Sequence, residues 1–546
     1  MSIEGTLIRD TSAGDRLKRP IDVAPSHASV SSRATVVTLS LWLALFLLEL
    51  VVSVALCGGR LVFTLDDPYI HLAVADQILS GGYGVNAGEF SSPSSSILWP
   101  YLLALTEALH LGASGPLLIN AGAAAATLIV ILRLFAAVGL FDRVEDRPVA
   151  YAAAGLMILV TSAIALPMTG MEHSLHVWAT VVTFSGLFAA AQGRPLTPSH
   201  FIALVLLPLI RFEGLALAGA AIVAFALLGR LRFAVAAAAL TGVALSTYCL
   251  LMTARGLPLL PSSVLLKSKI AENAYEHRSL IGAIMQSAQS SLSNPYGQRL
   301  ALLGFVIACG TWWLRGDRRA QIVCIAVLAA IGAHLVGGQY GWFYRYEVYA
   351  IALGVVALVW IVASVRPQLN ARGWLGAKCV LLLLMAFVSS PYLEAALKTP
   401  FAARGTYEQQ YQMGRFVREF YPHPVAVNDL GLVAYANPNF VLDLWGLGSE
   451  DVRKAKLAGQ YGPAEMAALV DHHHAGLAMV YDSWFPQGLP SSWTKAAVLH
   501  TMPVAAAAGD VSFYRTTSGD ADEIMRALRG FAPTLPPRTS LDFITR

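Results

Sequence analysis

The feature that most restricts the fold of this 546-residue chain is a series of apolar stretches long enough to cross a bilayer. A helix that spans the hydrocarbon core needs about 20 mostly apolar residues. Such stretches occupy residues 36–57, 117–140, 149–168, 174–192, 233–253, 299–314, 320–336, 346–364 and 376–391. The apolar segment 200–229 is interrupted by a polar turn at 211–214, so we interpret it as two short spans. The sequence therefore predicts a polytopic α-helical membrane protein with about eleven transmembrane helices.

Composition and charge support this class. Hydrophobic residues make up 56% of the chain and charged residues 13%, whereas about a quarter of the residues in a soluble domain are charged. No basic stripe with interleaved aromatic residues suggests nucleic-acid binding. Membrane lipids are therefore expected partners, and nucleic acid is not.

The Lys and Arg residues of the connections predict the orientation, because cytoplasmic loops carry an excess of both. These residues precede the first span and follow the second, fourth, sixth, eighth and tenth, which places them all on one side. The assignment requires 97–111 to be an interfacial helix rather than a span. The N-terminus is then cytoplasmic, and the C-terminus lies outside.

Three regions follow from this topology. Residues 1–35 are predicted to be a disordered cytoplasmic tail, and residues 36–391 a membrane domain whose first outer loop is 58–116. Residues 392–546 have ordinary polarity and are predicted to form an extracytoplasmic α/β domain. In that domain we expect a helix near Tyr407–Phe420 and strands at Val425–Val427, Phe440–Leu442, Leu477–Tyr481 and Val511–Tyr514.

The first outer loop holds the strongest candidate for a catalytic residue. Asp66 and Asp67 directly follow the first span, and carboxylates at the edge of hydrocarbon usually mark a function. Asp67 precedes Pro68 and is predicted to cap a helix that runs to about Leu79. Asp66 lacks such a role, so we interpret it as a general base that deprotonates a hydroxyl nucleophile. The alternative is a second capping or salt-bridging acid.

Several cations on the outer side are candidates to bind a lipid-linked phosphate. Lys267 and Lys269 suit this role, although lysines also snorkel at membrane interfaces. Arg345 suits bidentate phosphate contact, and Tyr344 lies beside it. The aromatic residues around Arg345 form either an interfacial belt or a wall on which a sugar stacks.

Other polar residues of the outer side are candidates to bind an acceptor or line a cavity. Glu89 also fits a solvated loop, and Arg211 and Glu213 also fit an ion pair across their turn. The full set is His71, Glu89, Glu172, Arg211 and Glu213.

A set of short motifs runs in order through the chain. They are Asp66-Asp67-Pro68-Tyr69-Ile70, the glycine-rich run 82–89, Gly170-Met171-Glu172, Arg211-Phe212-Glu213-Gly214, the segment 261–267, Gly337-Gly338-Gln339 with Arg345-Tyr346, and the acids and glycines Asp429, Gly431, Asp443 and Gly446. In order and spacing this set resembles the GT-C superfamily of polytopic glycosyltransferases, and most closely the mycobacterial cell-wall arabinofuranosyltransferases.

The resemblance implies an inverting hexosyl- or pentosyltransferase in a bacterial cytoplasmic membrane. It would move a sugar from a polyprenyl-phosphate donor to a cell-envelope glycan or glycolipid on the outer face. Asp66 would be the base with Asp67 beside it, and the four candidates Lys267, Lys269, Tyr344 and Arg345 would bind the donor phosphate. No cofactor is required, although Asp66 and Asp67 could share a divalent cation such as Mg²⁺ or Mn²⁺.

Two other functions are compatible with the residues. A lipid or glycan flippase or transporter would carry ionisable residues near the bilayer midplane, whereas here they gather at one face. A non-catalytic subunit for glycan export would bind glycan with its outer domain and perform no chemistry.

Overall fold

The computed structural model describes residues 25–267 and 279–544, and most of them are helical. In chain order, the helices up to the last span are α1 (Pro25–Leu56), α2 (Asp67–Leu79), α3 (Trp99–Ala108), α4 (Ser114–Ala137), α5 (Arg147–Val160), α6 (His173–Ala191), α7 (Pro198–Ile210), α8 (Gly214–Leu227), α9 (Leu231–Thr253), α10 (Ser262–Lys267), α11 (Leu280–Ser293), α12 (Pro295–Trp313), α13 (Arg318–Gly337), α14 (Val348–Val365) and α15 (Ala371–Glu408).

Within the described ranges, 7 helices are long and apolar enough to cross a membrane, which confirms the predicted class of fold. They are α1, α4, α6, α9, α13, α14 and α15. The helices α7 and α8 are shorter and apolar, and they meet at the polar turn, as predicted. Residues 25–35, predicted to belong to a disordered tail, are part of α1, because a helix can extend beyond its apolar stretch; residues 1–24 lie outside the described residues.

Besides the short helices α7 and α8, two of the eleven predicted spans lack the required length or apolar character. The stretch 149–168 contains α5, which has only 14 residues, and the chain then turns at Ser162, where φ is 49°. The stretch 299–314 lies in α12, whose 19 residues include the polar Gln298 and Arg299. The count of eleven is therefore not confirmed.

The helices α6 and α14 lie at the centre of the membrane domain. In the most apolar 18-residue segment of each helix, 78% is buried in α6 and 83% in α14, whereas only 22% is buried in α1 and in α9. The exposed side chains of these outer helices are apolar, as in Leu48 and Leu250. They suit contact with lipid tails, where helices satisfy their own backbone hydrogen bonds.

The C-terminal region forms the predicted α/β domain. The helix α15 runs past the predicted boundary at 391/392 and is followed by α16 (Gln410–Glu419), so the domain continues directly from the last span. The remaining elements are β1 (Val425–Val427), α17 (Gly431–Ala434), β2 (Val441–Asp443), α18 (Glu450–Leu457), α19 (Pro463–His472), β3 (Leu477–Val480), β4 (Thr494–His500), β5 (Asp510–Arg515), α20 (Ala521–Phe531) and β6 (Ser540–Phe543).

These strands form one mixed sheet in the order β2-β1-β3-β5-β4-β6. The strands β2, β1 and β3 are parallel, and β5, β4 and β6 add antiparallel pairs. The four predicted strands are confirmed to within two residues at each end. The strands β4 and β6 were not predicted, because both are only partly buried and their apolar alternation is weak.

The first outer loop docks on the open edge of this sheet through Asn86. Its side chain accepts a hydrogen bond from the backbone N–H of Val441 at 2.8 Å and donates to the Val441 carbonyl at 3.0 Å. Because β2 is an edge strand, these are groups that a further strand would otherwise pair. Asn86 also donates to Glu89 at 2.7 Å. Asn86 thereby fixes the position of the first outer loop along β2.

Replacing Asn86 with alanine should weaken this docking. The change leaves the buried N–H and carbonyl of Val441 unpaired, which costs about 1–3 kcal/mol of unfolding free energy. Thermal unfolding and hydrogen exchange of the β2 amides measure the effect. The variant Asn439→Ala, whose side chain bonds Asn437 within one turn, is the control. Unchanged exchange at β2 would show that Asn86 does not hold the interface.

Candidate active site

The first outer loop meets the C-terminal domain at Asp66. The helix α2 begins and ends where predicted, but Asp66 occupies the cap position and its side chain makes no capping hydrogen bond. Its carboxylate instead accepts the backbone N–H of Gly431 at 2.5 Å and that of Leu432 at 2.8 Å. The prediction that Asp67 caps α2 is therefore wrong, and Asp66 does have a structural contact, across the domain interface.

The same contact explains a glycine of the C-terminal motif. A Cβ atom at Gly431 would overlap the backbone oxygen of Asp66. Only glycine allows the two backbones to approach this closely. The Asp-x-Gly motif at 429–431 thus brings both a close backbone contact and a second carboxylate to Asp66.

That second carboxylate is Asp429, which lies two residues after β1. Its side chain is within hydrogen-bonding reach of Asp66 and accepts hydrogen bonds from Gln410 and from the Tyr481 hydroxyl, both at 2.8 Å. Burial raises the pKa of Asp66 well above its ordinary value, and the charge of Asp429 raises it further, against the donors Leu432 and Gly431. Burial also raises the pKa of Asp429. Two carboxyl groups this close share a proton.

Arg345 forms the cationic part of the site. Its Nη2 donates to Asp67 Oδ2 at 2.5 Å and to the Tyr346 hydroxyl at 3.0 Å. The side chain is only 2% exposed, yet its Nε–H and Nη1–H have no acceptor among the described residues. Leaving buried donors unpaired is costly. A buried guanidinium with spare, charge-assisted donors is suited to bind an anion such as a phosphate.

The turn before Arg345 is strained. Residues 342–344 have φ values of 43°, 64° and 58°, in the left-handed region, and none is glycine. Each such residue costs about 1–2 kcal/mol. Strain of this kind persists where the surroundings hold it, and it clusters at binding and catalytic sites. The turn fixes the direction in which Arg345 enters the site.

A second guanidinium, Arg211, is already neutralised. It pairs with Glu172 at 2.5 Å and with Glu213 at 2.7 Å; Arg211 and Glu172 are buried, whereas the Glu213 side chain is 30% exposed. The pairing of Arg211 with Glu213 confirms the structural alternative for that turn. Arg211 has two acidic partners and Arg345 has one, so Arg345 is the better of the two arginines to bind a further anion.

Two clefts meet at these residues. The first, which we call the span cleft, has a volume of about 160 Å³ and is lined by polar groups of several helix ends, namely Asp67, His71, Ser95, Arg211, Glu213, Ser263 and Arg345. The second, the junction cleft, lies under the C-terminal domain and is lined by Asp66, Asp67, Trp342, Gln410, Asp429 and Trp484. Asp67 borders both, so the clefts adjoin at the two aspartates.

Of the remaining predicted residues, some lie elsewhere. Glu89 bonds Asn86 at the docking interface and lines neither cleft; burial raises its pKa to about 7. Tyr344 packs edge-on against Tyr296 and its hydroxyl bonds Glu394, so its predicted contact with phosphate has no geometric support. Lys269 and the side chain of Lys267 lie outside the described residues.

The described residues provide no further ligands for the divalent cation that was predicted at Asp66 and Asp67. Among the residues of 25–267 and 279–544 that are described, no group of three or more His, Cys, Asp or Glu side chains could hold a metal ion. Asp67 pairs with Arg345, and Asp66 bonds backbone N–H groups. The two aspartates are thus occupied by donors of the protein.

Sequence reasoning missed the contribution of the C-terminal domain to the site. Asp429, Gln410, Tyr481 and Trp484 all come from it. One signal was available: Asp429 lies two residues after the predicted strand Val425–Val427, and Tyr481 ends the predicted strand Leu477–Tyr481. If such strands are parallel, ligands bind at their carboxyl ends. The sequence does not show that this edge of the sheet contacts Asp66.

A family model described as a domain of unknown function (DUF8728) matches residues 400–514, which include Asp429 and Trp484. No curated protein matches the chain in sequence. Several solved structures align with most of its length.

ArnT from Cupriavidus metallidurans bound to undecaprenyl phosphate is 13% identical with a TM-score of 0.45, and the alignment covers 88% of this chain and 99% of that one. The Archaeoglobus fulgidus oligosaccharyltransferase in complex with Zn and sulfate is 13% identical with a TM-score of 0.46, covering 91% and 74%. The oligosaccharyltransferase AglB of the same organism, in complex with an inhibitory peptide and a dolichol-phosphate, is 12% identical with a TM-score of 0.41, covering 87% and 74%.

These three are proteins of the kind that the sequence motifs resemble, and none is a mycobacterial arabinofuranosyltransferase. At such identities and TM-scores the likeness by itself assigns neither activity nor substrate. What this chain does depends on the chemistry of its own site.

Proposed function

We propose that the chain is an inverting glycosyltransferase that uses a polyprenyl-phosphate sugar. The observation that carries the proposal is the pairing of two unlike features at one place. Arg345 offers unpaired, buried N–H donors to an anion. The pair of Asp66 and Asp429, in which the pKa of Asp66 is raised, lies on the other side of Asp67. An anion site beside a basic carboxylate is what such a transfer needs.

In this proposal the donor phosphate binds in the span cleft and the acceptor enters the junction cleft. The acceptor hydroxyl oxygen attacks the anomeric carbon from the face opposite the phosphate, and its proton passes to Asp66. The bond between the anomeric carbon and the phosphate oxygen breaks, and the electron pair leaves with the phosphate. Arg345 stabilises the charge that develops on that leaving group, and a phosphate needs no general acid.

The basicity of Asp66 suits its role. A general base works best when its pKa lies near the working pH, and an ordinary aspartate is too weak a base at neutrality. Burial and the neighbouring Asp429 both raise the pKa of Asp66, as a general base requires. Asp67 serves here as the partner that orients Arg345. A divalent cation is not required in this scheme, because Arg345 supplies the positive charge at the phosphate.

The membrane and acceptor assignments follow from the motif resemblance and the charge pattern of the loops. We place the protein in a bacterial cytoplasmic membrane with its N-terminus inside. The site and the C-terminal domain then lie on the outer face, and the acceptor is a cell-envelope glycan or glycolipid.

Replacing Asp429 with asparagine should move the acid limb of the pH–rate profile to lower pH. Transfer requires ionised Asp66, so the rate rises with pH through the pKa of that residue. Removing the negative charge of Asp429 lowers this pKa, and the limb should shift down by about one pH unit. The variant Asp522→Asn, at an exposed acid of the same domain, is the control. A limb that does not move would mean that the titrating group is not Asp66.

The proposal as a whole is tested by glycosyl transfer with the full-length protein in nanodiscs. Radiolabelled polyprenyl-phosphate sugars, hexose and pentose, are offered with a mixed cell-envelope glycan acceptor. We expect turnover with one donor and a product whose anomeric configuration is inverted. A retained configuration would contradict the mechanism, and no turnover with any donor would favour a flippase or an export subunit.

A further inference from the structure

The C-terminal domain contains a third cleft, lined by aromatic side chains. This aromatic cleft has a volume of about 410 Å³ and is lined by Trp445, Lys456, Tyr461, Trp484, Phe485 and Gln487, among others. Its volume lies in the range of about 300–1,000 Å³ that is usual for ligand sites. The reaction described above does not use it.

The position of the aromatic cleft follows from the sheet. Asp429, Trp445 and Tyr481 lie one or two residues after β1, β2 and β3, which are parallel. Their carboxyl ends therefore share one edge, and ligands of open α/β sheets bind beyond that edge. The edge begins at Asp429, beside Asp66, and continues to Trp445.

Trp484 connects this cleft with the junction cleft. It lines both, and its ring lies 4.7 Å from that of Trp445 and 5.6 Å from that of Tyr481. The buried Tyr481 and the half-buried Trp484 and Trp445 thus form a row of aromatic rings that leads away from the Asp66–Asp429 pair. A molecule that reached Asp66 from outside would extend along this row.

Polar groups accompany the rings. The Lys456 ammonium lies 3.9 Å from the centre of the Trp445 ring and donates to the Trp445 carbonyl at 2.9 Å. An ammonium has three donors, so two are left over from this bond. Gln487 adds an amide at the rim, and none of the lining residues is acidic. Burial lowers the pKa of Lys456 to about 8.

We infer that the aromatic cleft binds the chain of the glycan acceptor, several sugar residues away from the hydroxyl that reacts at Asp66. The inference rests on the proposed function. Sugar rings present flat C–H faces that pack on aromatic faces, whose quadrupole is negative, and hydroxyl groups at their edges that accept from Lys456. Flat rings in a row with a few donors therefore fit an extended oligosaccharide, and the positive charge of Lys456 in the cleft repels a cationic polymer.

The inference is tested by direct binding of fluorescein-labelled linear hexasaccharides of arabinofuranose, galactofuranose and mannopyranose to the full-length protein in nanodiscs. Fluorescence anisotropy reports the affinity without any lipid donor. We expect saturable binding of at least one hexasaccharide and markedly weaker binding of the matching monosaccharide glycoside. Replacing Trp445 with alanine should weaken hexasaccharide binding about tenfold or more, as for other buried aromatic anchors.

Two further variants keep this test decisive. Lys456→Gln removes the ammonium and keeps most of the packing, so it should weaken binding even if Trp445→Ala unfolds the domain. Trp312→Ala, at a tryptophan that is 66% exposed in the membrane domain, should change nothing. If no hexasaccharide binds saturably, or if both cleft variants bind as the wild type does, the inference is wrong.

The outcome is separable from that of the proposed function. Hexasaccharide binding that depends on Trp445, without transfer from any donor, would remove the proposed enzyme activity and leave a glycan-binding cleft. Transfer whose KM for a long acceptor is unaffected by Trp445→Ala would remove the cleft and leave the enzyme.

Discussion

Replacing Asp66 with asparagine is expected to lower kcat for glycosyl transfer by about 10²–10⁴-fold, the usual contribution of a general base. The amide cannot take the proton of the acceptor hydroxyl. It keeps the size of the side chain and one of the two acceptors for the N–H groups of Gly431 and Leu432. Single-turnover transfer from the labelled donor, at saturating acceptor, measures the loss.

The variant must be shown to fold, because asparagine weakens one contact across the domain interface. Undecaprenyl phosphate binding should survive, since Arg345 is unchanged, and thermal unfolding should shift only slightly. The variant Asp76→Asn, later on α2 and half-buried, is the matched control and should transfer normally. Wild-type turnover by a folded Asp66→Asn protein would remove Asp66 from the mechanism.

Replacing Arg345 with lysine is expected to produce the second large effect. Lysine keeps the charge but lacks the planar fork, so its ammonium cannot reproduce the fixed directions in which the guanidinium donates to Asp67 and to a phosphate. Losing a charge-assisted hydrogen bond costs about 1.5–3 kcal/mol, which corresponds to about 10–150-fold in affinity or rate. The measured quantities are kcat/KM for the donor and the Kd for undecaprenyl phosphate.

Both quantities should change in the same direction, because the same donors contact the bound phosphate and the leaving group. The variant Arg315→Lys, at an exposed position after α12, should match the wild type. If Arg345→Lys lowers the melting temperature but leaves the Kd unchanged, Arg345 is a structural residue, paired with Asp67 for stability alone.

The class of fold could be predicted from the sequence because it depends on local hydrophobicity. Runs such as 174–192 and 346–364 became the most buried helices, α6 and α14. The failures were also local: 149–168 is apolar enough, but the helix ends at Val160 and the chain turns. Length was judged from hydropathy, and hydropathy does not report where a helix stops.

The site was only half predictable, for a different reason. Asp66, Asp67 and Arg345 are conspicuous because each is a charge beside an apolar segment. Asp429 was noticed only as part of the Asp-x-Gly motif, because in a domain of ordinary polarity an aspartate after a strand does not by itself indicate a site. Its contact with Asp66 requires that the docked loop and the carboxyl edge of the sheet coincide, and this depends on long-range contacts such as that of Asn86 with Val441. No local pattern encodes them.

The C-terminal domain thus makes two contributions to the proposed reaction. It supplies Asp429 to the acid pair, and its aromatic cleft extends the site outward. Because Asp429 lies within hydrogen-bonding reach of Asp66, the domain is expected to take part in the proposed reaction rather than to act as a separate appendage.

The proposal that Arg345 binds the donor phosphate is tested most directly by the position of the phosphate group in a cryo-EM structure of the full-length protein with undecaprenyl phosphate. We expect a phosphate oxygen about 3 Å from Nε or Nη1 of Arg345, at hydrogen-bonding distance, in the span cleft and on the side of Asp67. A phosphate bound elsewhere, with both nitrogens of Arg345 paired to protein groups, would contradict it.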